Sequence, residues 1–403
     1  MTRSETRAPH GTGRGSCIAV HLRFSNLPNP RRDPRSIFPV AVAALLALGT
    51  CSPPNAPAVS SRGGPPYLLL HDWYGTSPVA TPSYLRDHRE YLDSLPFDGV
   101  VLYLRSPDHS LNVTASILDP KEIGEEEFDS VLAPLKGLPL RNLTENFAAV
   151  LGGRPPDFMD DWSAVVSNFA RLAKAARNAG LKGIYFDNET YYAPWSDYPR
   201  GVGHPDLTLA EYQAQARKRG REIMEAVNAV YPEITVILLH GPYISEPGAP
   251  GPLFPRVQNH NELHGPFFAG FVEGAGPLAK VVDGGELYHL RSEDDFRSSR
   301  DWRKRMFPSK EVDCAFLPST LRECWKEKVE VSFGVIDRPF QGLRMDPSVL
   351  AATLSRALRF ADRHAWLYVE GPTFLKPPGE GGAPESWIEA VRRARANARP
   401  PAP

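Results

Sequence analysis

Short apolar runs alternate with amphipathic stretches along most of the chain, and this alternation restricts the fold more than any other feature. Eight runs are rich in Val, Ile, Leu and aromatic residues, as buried strands are. They cover residues 67–71, 99–104, 147–151, 183–186, 234–239, 281–287, 329–336 and 365–369. The clearest helical patterns cover residues 162–179, 209–230, 347–363 and 384–398. Repeated strand–helix units predict an α/β fold, a (β/α)8 TIM barrel over residues 67–398.

An open, doubly wound sheet is the alternative arrangement of the same elements. Such sheets often bind nucleotides through a Gly-x-Gly-x-x-Gly turn after the first strand, or through a Walker loop. The chain carries neither motif. Nucleotide binding therefore has no support, and we predict no cofactor.

The overall composition is that of a folded domain with a balanced charge. Apolar residues make up 42% of the chain, which excludes global disorder. Lys and Arg number 46 against 47 Asp and Glu, for a formal net charge of −1. This balance argues against a nucleic-acid-binding protein, which usually has an excess of basic residues.

The N-terminal residues read as a processing segment. Residues 1–35 are basic, and an apolar run over residues 37–48 has the length of a signal-peptide core. The sequence Leu-Gly-Thr-Cys at residues 48–51 resembles the lipobox of bacterial lipoproteins, which implies lipid attachment at Cys51. We expect a signal segment at 1–50, a flexible tether at 51–66 and a short disordered tail at 399–403. The protein would be anchored to a bacterial membrane through lipid alone, in the periplasm or at the cell surface, or else secreted.

Two further cysteines, Cys314 and Cys324, lie ten positions apart. In an oxidising compartment they could form a disulfide bond that closes a small loop. Two unrelated buried thiols are the alternative.

Polar and aromatic side chains collect where the predicted strands end. The carboxyl ends of barrel strands form the mouth, where active sites of this fold lie. Aromatic rings there can stack on sugar rings, and arginines can hold carboxylate groups or orient catalytic acids. Gly284 and Gly285 permit close approach of a substrate to the acid that follows, or mark a bend in the strand. The predicted substrate-binding residues are His71, Asp72, Trp73, Tyr74, Tyr103, Arg105, Asn188, Tyr191, His240, Tyr243, Glu286, Tyr288 and Arg338.

The fourth strand provides the sharpest prediction of chemistry. Side chains alternate along a strand, so Tyr185, Asp187 and Glu189 share one face, and Ile184 and Phe186 share the other. This places two carboxylates inside the mouth. Acids held close together in a partly desolvated cleft repel each other, which makes one of them a general acid near neutral pH. Pairing with a nearby arginine or capping of a helix is the purely structural alternative.

The run Gly-Ile-Tyr-Phe-Asp-Asn-Glu at residues 183–189 resembles the fourth strand of barrel glycoside hydrolases. Many retaining members end this strand in Asn-Glu, which Asn188 and Glu189 match. Chitinase-like members end it in Asp-x-Glu, which Asp187 and Glu189 match. Both resemblances imply that Glu189 is the general acid. The second catalytic carboxylate would be Asp337, at the end of the seventh strand, or Glu370, at the end of the eighth.

Two other functions remain open from the sequence. A degenerate barrel that binds carbohydrate without cleaving it would hold its mouth carboxylates more than about 10 Å apart, beyond the range of a catalytic pair. A metal-dependent hydrolase would use a divalent ion held by residues at the strand ends. Its candidate ligands are His71, Asp72, Asp187, Glu189 and His240.

Overall fold

The structure of the protein is a computed structural model that describes residues 66–72, 78–106, 108, 110–189, 195–242, 262–306, 309, 317–338 and 345–398. Cys324 is disulfide-bonded. Its predicted partner lies outside the described residues, so that pairing stays a prediction. The other predicted features that lie outside them are residues 1–65, the tail at 399–403, Cys51, Trp73, Tyr74, Tyr191 and Tyr243.

Nine strand segments form one parallel sheet that curls into a barrel. Neighbours along the sheet follow the order β7-β6-β5-β4-β3-β2-β1-β9-β8. The segments are β1 (Tyr67–Asp72), β2 (Gly99–Leu102), β3 (Phe147–Leu151), β4 (Gly183–Asp187), β5 (Thr235–Leu238), β6 (Lys280–Asp283), β7 (Val329–Val331), β8 (Phe333–Ile336) and β9 (His364–Val369).

The ring closes through the chain itself at Ser332. β7 pairs with β6, and β8 pairs with β9, while Ser332 alone separates β7 from β8. The amide of Ser332 donates to Asp283 O at 2.8 Å, and the amide of Gly334 donates to Gly285 O at 3.0 Å. The two segments are therefore one interrupted strand, the predicted run 329–336. The prediction of a (β/α)8 barrel is confirmed, and the doubly wound alternative is wrong.

The sixth strand ends earlier than its apolar run predicts, because two glycines turn the chain. β6 stops at Asp283, and Gly285 has a φ of 66°. A Cβ atom on Gly285 would lie 2.4 Å from Ser332 O, and one on Gly284 would lie 2.7 Å from Leu238 O. Only glycine fits this bend, which carries the chain past the strand end to Glu286.

Helices surround the barrel, and the four clearest helical patterns are confirmed as α5, α6, α10 and α11. The helices are α1 (Pro82–Asp87), α2 (Arg89–Leu92), α3 (Val113–Ser116), α4 (Glu125–Leu132), α5 (Ser163–Asn178), α6 (Leu209–Val230), α7 (His264–Gly274), α8 (Glu293–Asp301), α9 (Ser319–Lys328), α10 (Pro347–Phe360) and α11 (Glu385–Ala398). Among the described residues, no helix combines the length and the apolar character that a membrane crossing needs.

Aromatic rings fill the barrel beneath its mouth. The ring of His71 lies 4.8 Å from that of Tyr185 and 5.0 Å from that of Tyr368, centroid to centroid. The indole of Trp366 donates to Gly284 O at 2.8 Å and meets Tyr185 edge-on. These packed rings form a rigid floor for the groups at the strand ends.

Candidate active site

Two carboxylates and a histidine meet at the ends of three successive strands. Glu189 follows β4, His240 follows β5, and Glu286 follows the bend after β6. His240 Nε2 lies 3.3 Å from Glu189 Oε1 and 3.0 Å from Glu286 Oε2. One ligand atom from each residue lies within 4.8 Å of the other two. We call these three residues the mouth triad.

Asn188 fixes the histidine of the mouth triad. Its side-chain amide donates to His240 O at 3.0 Å and accepts from His240 N at 2.8 Å. Asn188 is fully buried. Strand alternation predicts this arrangement, since Asn188 should point away from the barrel interior while Asp187 and Glu189 point inward. The side chain at the end of one strand therefore holds the backbone at the end of the next.

Asp187 is a buried acid beside the mouth triad. Its Oδ1 accepts a hydrogen bond from Glu189 N at 3.2 Å. Burial raises the pKa of Asp187 well above its usual range, and the carboxylates of Glu189 and Glu286 raise it further. Burial and the neighbouring negative charges therefore favour the neutral form of Asp187.

His240 carries the charge that holds the two glutamates together. Burial lowers its pKa, but the neighbouring carboxylates of Glu286 and Glu189 outweigh burial and raise the pKa well above its usual value. An imidazolium therefore lies between two carboxylates at neutral pH. The hydroxyl of Tyr288 also bonds Glu286, and Tyr288 is itself buried.

The floor below these charges contains a neutral histidine between two tyrosines. His71 Nε2 lies 2.6 Å from Tyr103 Oη, and its Nδ1 lies 3.2 Å from Tyr185 Oη. Burial lowers the pKa of His71 to about 3. A neutral imidazole has one donor and one acceptor nitrogen, so one tyrosine donates to the ring and the other accepts from it.

Three further predicted acids have surroundings that differ from those of the mouth triad. Asp72 Oδ2 accepts from Thr373 Oγ1 at 2.9 Å and from Phe374 N at 3.0 Å. The two carboxylate oxygens of Asp337 accept from the amides of residues 370 and 371 at 2.8 and 3.0 Å. Glu370 is exposed, whereas Asp72 and Asp337 are buried. The structure therefore brings Glu286, rather than Asp337 or Glu370, against His240.

The two predicted arginines flank other strand ends. The backbone of Arg105 pairs with Asn112 beyond β2, and Arg338 comes directly after Asp337. Both are half-buried.

His264, at the start of α7, is a site residue that the sequence analysis missed. It is 2% exposed and packs against Trp195, with ring centroids 5.1 Å apart. Burial, followed by the charge of His240, lowers the pKa of His264 to about 3. Its signal in the sequence is weak, because it follows no strand and belongs to no motif.

Comparison with known proteins gives distant structural neighbours and nothing closer. No model of a known protein family matches the chain, and no curated protein matches it. A 3-keto-D-glucoside 4-epimerase from E. coli is 12% identical over 82% of this chain and 99% of its own, with a TM-score of 0.42. A putative chitinase A from Streptomyces coelicolor is 12% identical over 82% of this chain and 98% of its own, with a TM-score of 0.40. An exo-β-1,4-mannosidase from Opitutaceae bacterium strain TAV5 is 14% identical over 83% of this chain and 60% of its own, with a TM-score of 0.43. Similarity at this level transfers no activity, so function has to follow from the side chains of this chain.

Proposed function

We propose that the protein is a retaining glycoside hydrolase in which Glu189 is the general acid and base and Glu286 is the nucleophile. The observation that carries this proposal is the approach of the two carboxylates across the barrel mouth, with oxygens within 4.8 Å of each other. Retaining enzymes hold their carboxyl groups about 5–5.5 Å apart, whereas inverting enzymes need about 6.5–9.5 Å to admit a water molecule.

The surroundings of the two glutamates suit different roles. The side chain of Glu286 is 16% exposed and is held by His240 and Tyr288, which keeps its carboxyl group in one orientation. The side chain of Glu189 is 34% exposed, so a leaving group and a water molecule can both reach it. The different environments of the two carboxylates suit Glu286 to the role of nucleophile and Glu189 to the role of general acid and base.

The reaction proceeds in two displacements. The proton held between His240 and Glu189 passes through Glu189 to the glycosidic oxygen while a carboxylate oxygen of Glu286 attacks the anomeric carbon. The bond to the leaving group breaks, and an ester joins the sugar to Glu286. Glu189, now ionised, removes a proton from water, whose oxygen attacks the same carbon and releases Glu286. Two inversions restore the original anomeric configuration.

The neighbouring groups support both steps. His240 attracts both carboxylates and prevents them from moving apart. Asp187 accepts a hydrogen bond from the amide of Glu189 and so limits the movement of that residue.

The same geometry opposes a carbohydrate-binding protein without activity. Binding alone does not require two carboxylates in contact with one imidazolium, an arrangement whose desolvation costs free energy. A degenerate barrel would have no reason to retain it.

Variants of three glutamates test the proposal on a panel of 4-nitrophenyl glycosides and polysaccharides. Glu189→Gln and Glu286→Gln should each lower kcat by at least about 100-fold, because each removes a group that acts in the transition state. Azide should restore turnover to a Glu286→Gly variant by replacing the nucleophile. Glu370→Gln should retain wild-type turnover. A wild-type rate in Glu286→Gln, or a loss confined to Glu370→Gln, would contradict the assignment.

A further inference from the structure

We propose that the mouth triad also binds a divalent transition-metal ion such as Zn²⁺, and that the bound ion blocks the active site. Glu189, His240 and Glu286 would each supply one ligand atom. The binding of the ion stands on the geometry of these residues alone. The inhibition rests on the proposed function.

The spacing of the triad atoms matches a metal coordination shell. Zinc bonds to histidine nitrogen and carboxylate oxygen are about 2.0–2.2 Å long, so neighbouring ligand atoms of a tetrahedral site lie about 3.4 Å apart. His240 Nε2 lies 3.3 and 3.0 Å from the two glutamate oxygens. The glutamate oxygens lie within 4.8 Å of each other, so a small rotation of the more exposed Glu189 would complete the shell.

The ligand atoms of the triad converge on one place. His240 Nε2 lies 3.0 Å from Glu286 Oε2 and 3.3 Å from Glu189 Oε1. At present a singly charged imidazolium faces two carboxylates. A divalent ion that replaced its proton would balance both negative charges.

A second buried histidine lies near the triad. His264 is 2% exposed, and the charges of His240 and Glu189 both act on its ring. Burial keeps this imidazole neutral, so it can bond a water molecule held by the ion and help to orient it.

The chemistry of the ligands selects the class of ion. One imidazole with two carboxylates suits Zn²⁺ and its neighbours in the transition series, whereas Mg²⁺ and Ca²⁺ prefer ligand sets made of oxygen alone. Outer contacts of the kind that orient metal ligands are already present, since Asn188 fixes the backbone of His240 and Tyr288 bonds Glu286. The partly exposed Glu189 leaves a path for the ion to enter.

Calorimetric titration of ZnCl₂ into the chelator-treated full chain tests the binding. We expect one ion per chain, at least about 100-fold weaker binding in His240→Gln, and about 10–100-fold weaker binding in His264→Gln. Glu189→Gln serves as the variant at an accessible position, where folding is least at risk. Its thermal midpoint should no longer rise with zinc as that of the wild type does.

His204→Gln is the matched control. His204 Nε2 also lies near a carboxylate, 3.5 Å from Asp160, but both side chains are largely exposed. Its removal should leave zinc affinity unchanged. The site is refuted if the wild type binds no zinc, if folded His240→Gln binds it equally well, or if His204→Gln weakens binding as much as His240→Gln does. MgCl₂ at the same concentrations should give no heat of binding.

Hydrolysis assays with and without zinc distinguish the metal-site proposal from the proposed carboxylate mechanism. If zinc occupies both catalytic carboxylates, it should raise the apparent KM for a cleaved glycoside without changing kcat, and EDTA should reverse the effect. Unaltered hydrolysis in the zinc-loaded enzyme would overturn the inhibition. Hydrolysis that requires zinc would support the metal site and overturn the carboxylate mechanism.

Discussion

At the residue scale, two acids of one short motif differ in burial and in the ease with which they ionise. Asp187 and Glu189 are two positions apart, yet Asp187 is buried and has a raised pKa, whereas the side chain of Glu189 is 34% exposed. Three histidines differ in the same way. His240 is charged because two carboxylates face it, while His71 and His264 stay neutral because burial dominates. Environment rather than residue type thus determines which groups carry protons.

The neutral state of His71 predicts a loss of stability in acid. Its pKa falls from 6.5 to about 3 on folding, so the unfolded chain binds a proton that the folded chain does not. The stabilisation is complete above pH 6.5 and is lost as the pH falls from 6.5 towards 3, by up to about 1.4 kcal/mol per pH unit.

Urea unfolding at pH 7 and at pH 5 measures this effect. The free energy of unfolding should fall less between the two pH values in His71→Gln than in the wild type, since glutamine keeps the hydrogen bonds but does not take up the proton. Equal losses in the two proteins would show that His71 is protonated in the folded state.

At the element scale, the bend after β6 determines where the nucleophile lies. Glu286 reaches His240 because Gly284 and Gly285 turn the chain at the end of the strand. Arg303 supports the same bend from behind, as it pairs with Asp283 at 2.9 Å and donates to Ser332 O at 2.8 Å. The break between β7 and β8 and the position of the acid are therefore parts of one arrangement.

Alanine substitutions at two glycines with similar backbone conformations distinguish the cost of backbone strain from the cost of steric crowding. Gly285 and Gly379 both have positive φ values, 66° and 89°. A Cβ atom on Gly285 would meet Ser332 O at 2.4 Å, but one on Gly379 would meet nothing within 4 Å. Gly379→Ala should cost about 1–2 kcal/mol of stability from backbone strain, and Gly285→Ala about 1–3 kcal/mol more from crowding.

Denaturant unfolding and hydrolysis assays check this pair. Gly285→Ala should also lose activity, because the displaced bend carries Glu286, while Gly379→Ala should retain it. Equal unfolding free energies in the two variants would mean that the bend has room for a side chain.

The part of the site that could be predicted from the sequence follows strand alternation. Alternation along β4 predicts that Asp187 and Glu189 share one face, and Glu189, two residues past the end of β4, lies against His240. The same logic fails for Glu286, which lies three residues beyond β6 and past a glycine bend whose direction no alternation rule gives. Strand alternation cannot predict the position of His264, because this residue begins helix α7 and its position depends on tertiary packing.

At the scale of the whole molecule, the residues that stabilise the barrel and the residues proposed to act on substrate lie in different places. Apolar side chains fill the layer between strands and helices, whereas charged groups meet at the carboxyl ends of the strands. The fold itself could be predicted because eight apolar runs at regular spacing leave few alternatives. The interruption at Ser332 could not, since it depends on how Arg303 and the bend after β6 pack together.

The lipobox-like sequence predicts how the molecule is placed in the cell. Expressed in a bacterial host, the wild type should sediment with membranes and incorporate a labelled fatty acid, and Cys51→Ser should do neither, because acyl chains supply the membrane affinity. Wild-type protein found unlabelled in the soluble fraction would instead indicate plain secretion.

Trapping of the covalent intermediate tests the central claim most directly. A 2-deoxy-2-fluoro glycosyl fluoride of the sugar that the enzyme cleaves slows the second displacement, so the ester accumulates and can be located by mass spectrometry of the digested protein. The account predicts a single sugar adduct on the peptide that contains Glu286, and products that keep the anomeric configuration. An adduct on Glu370 or Asp337, or turnover without any adduct and with inverted products, would contradict it.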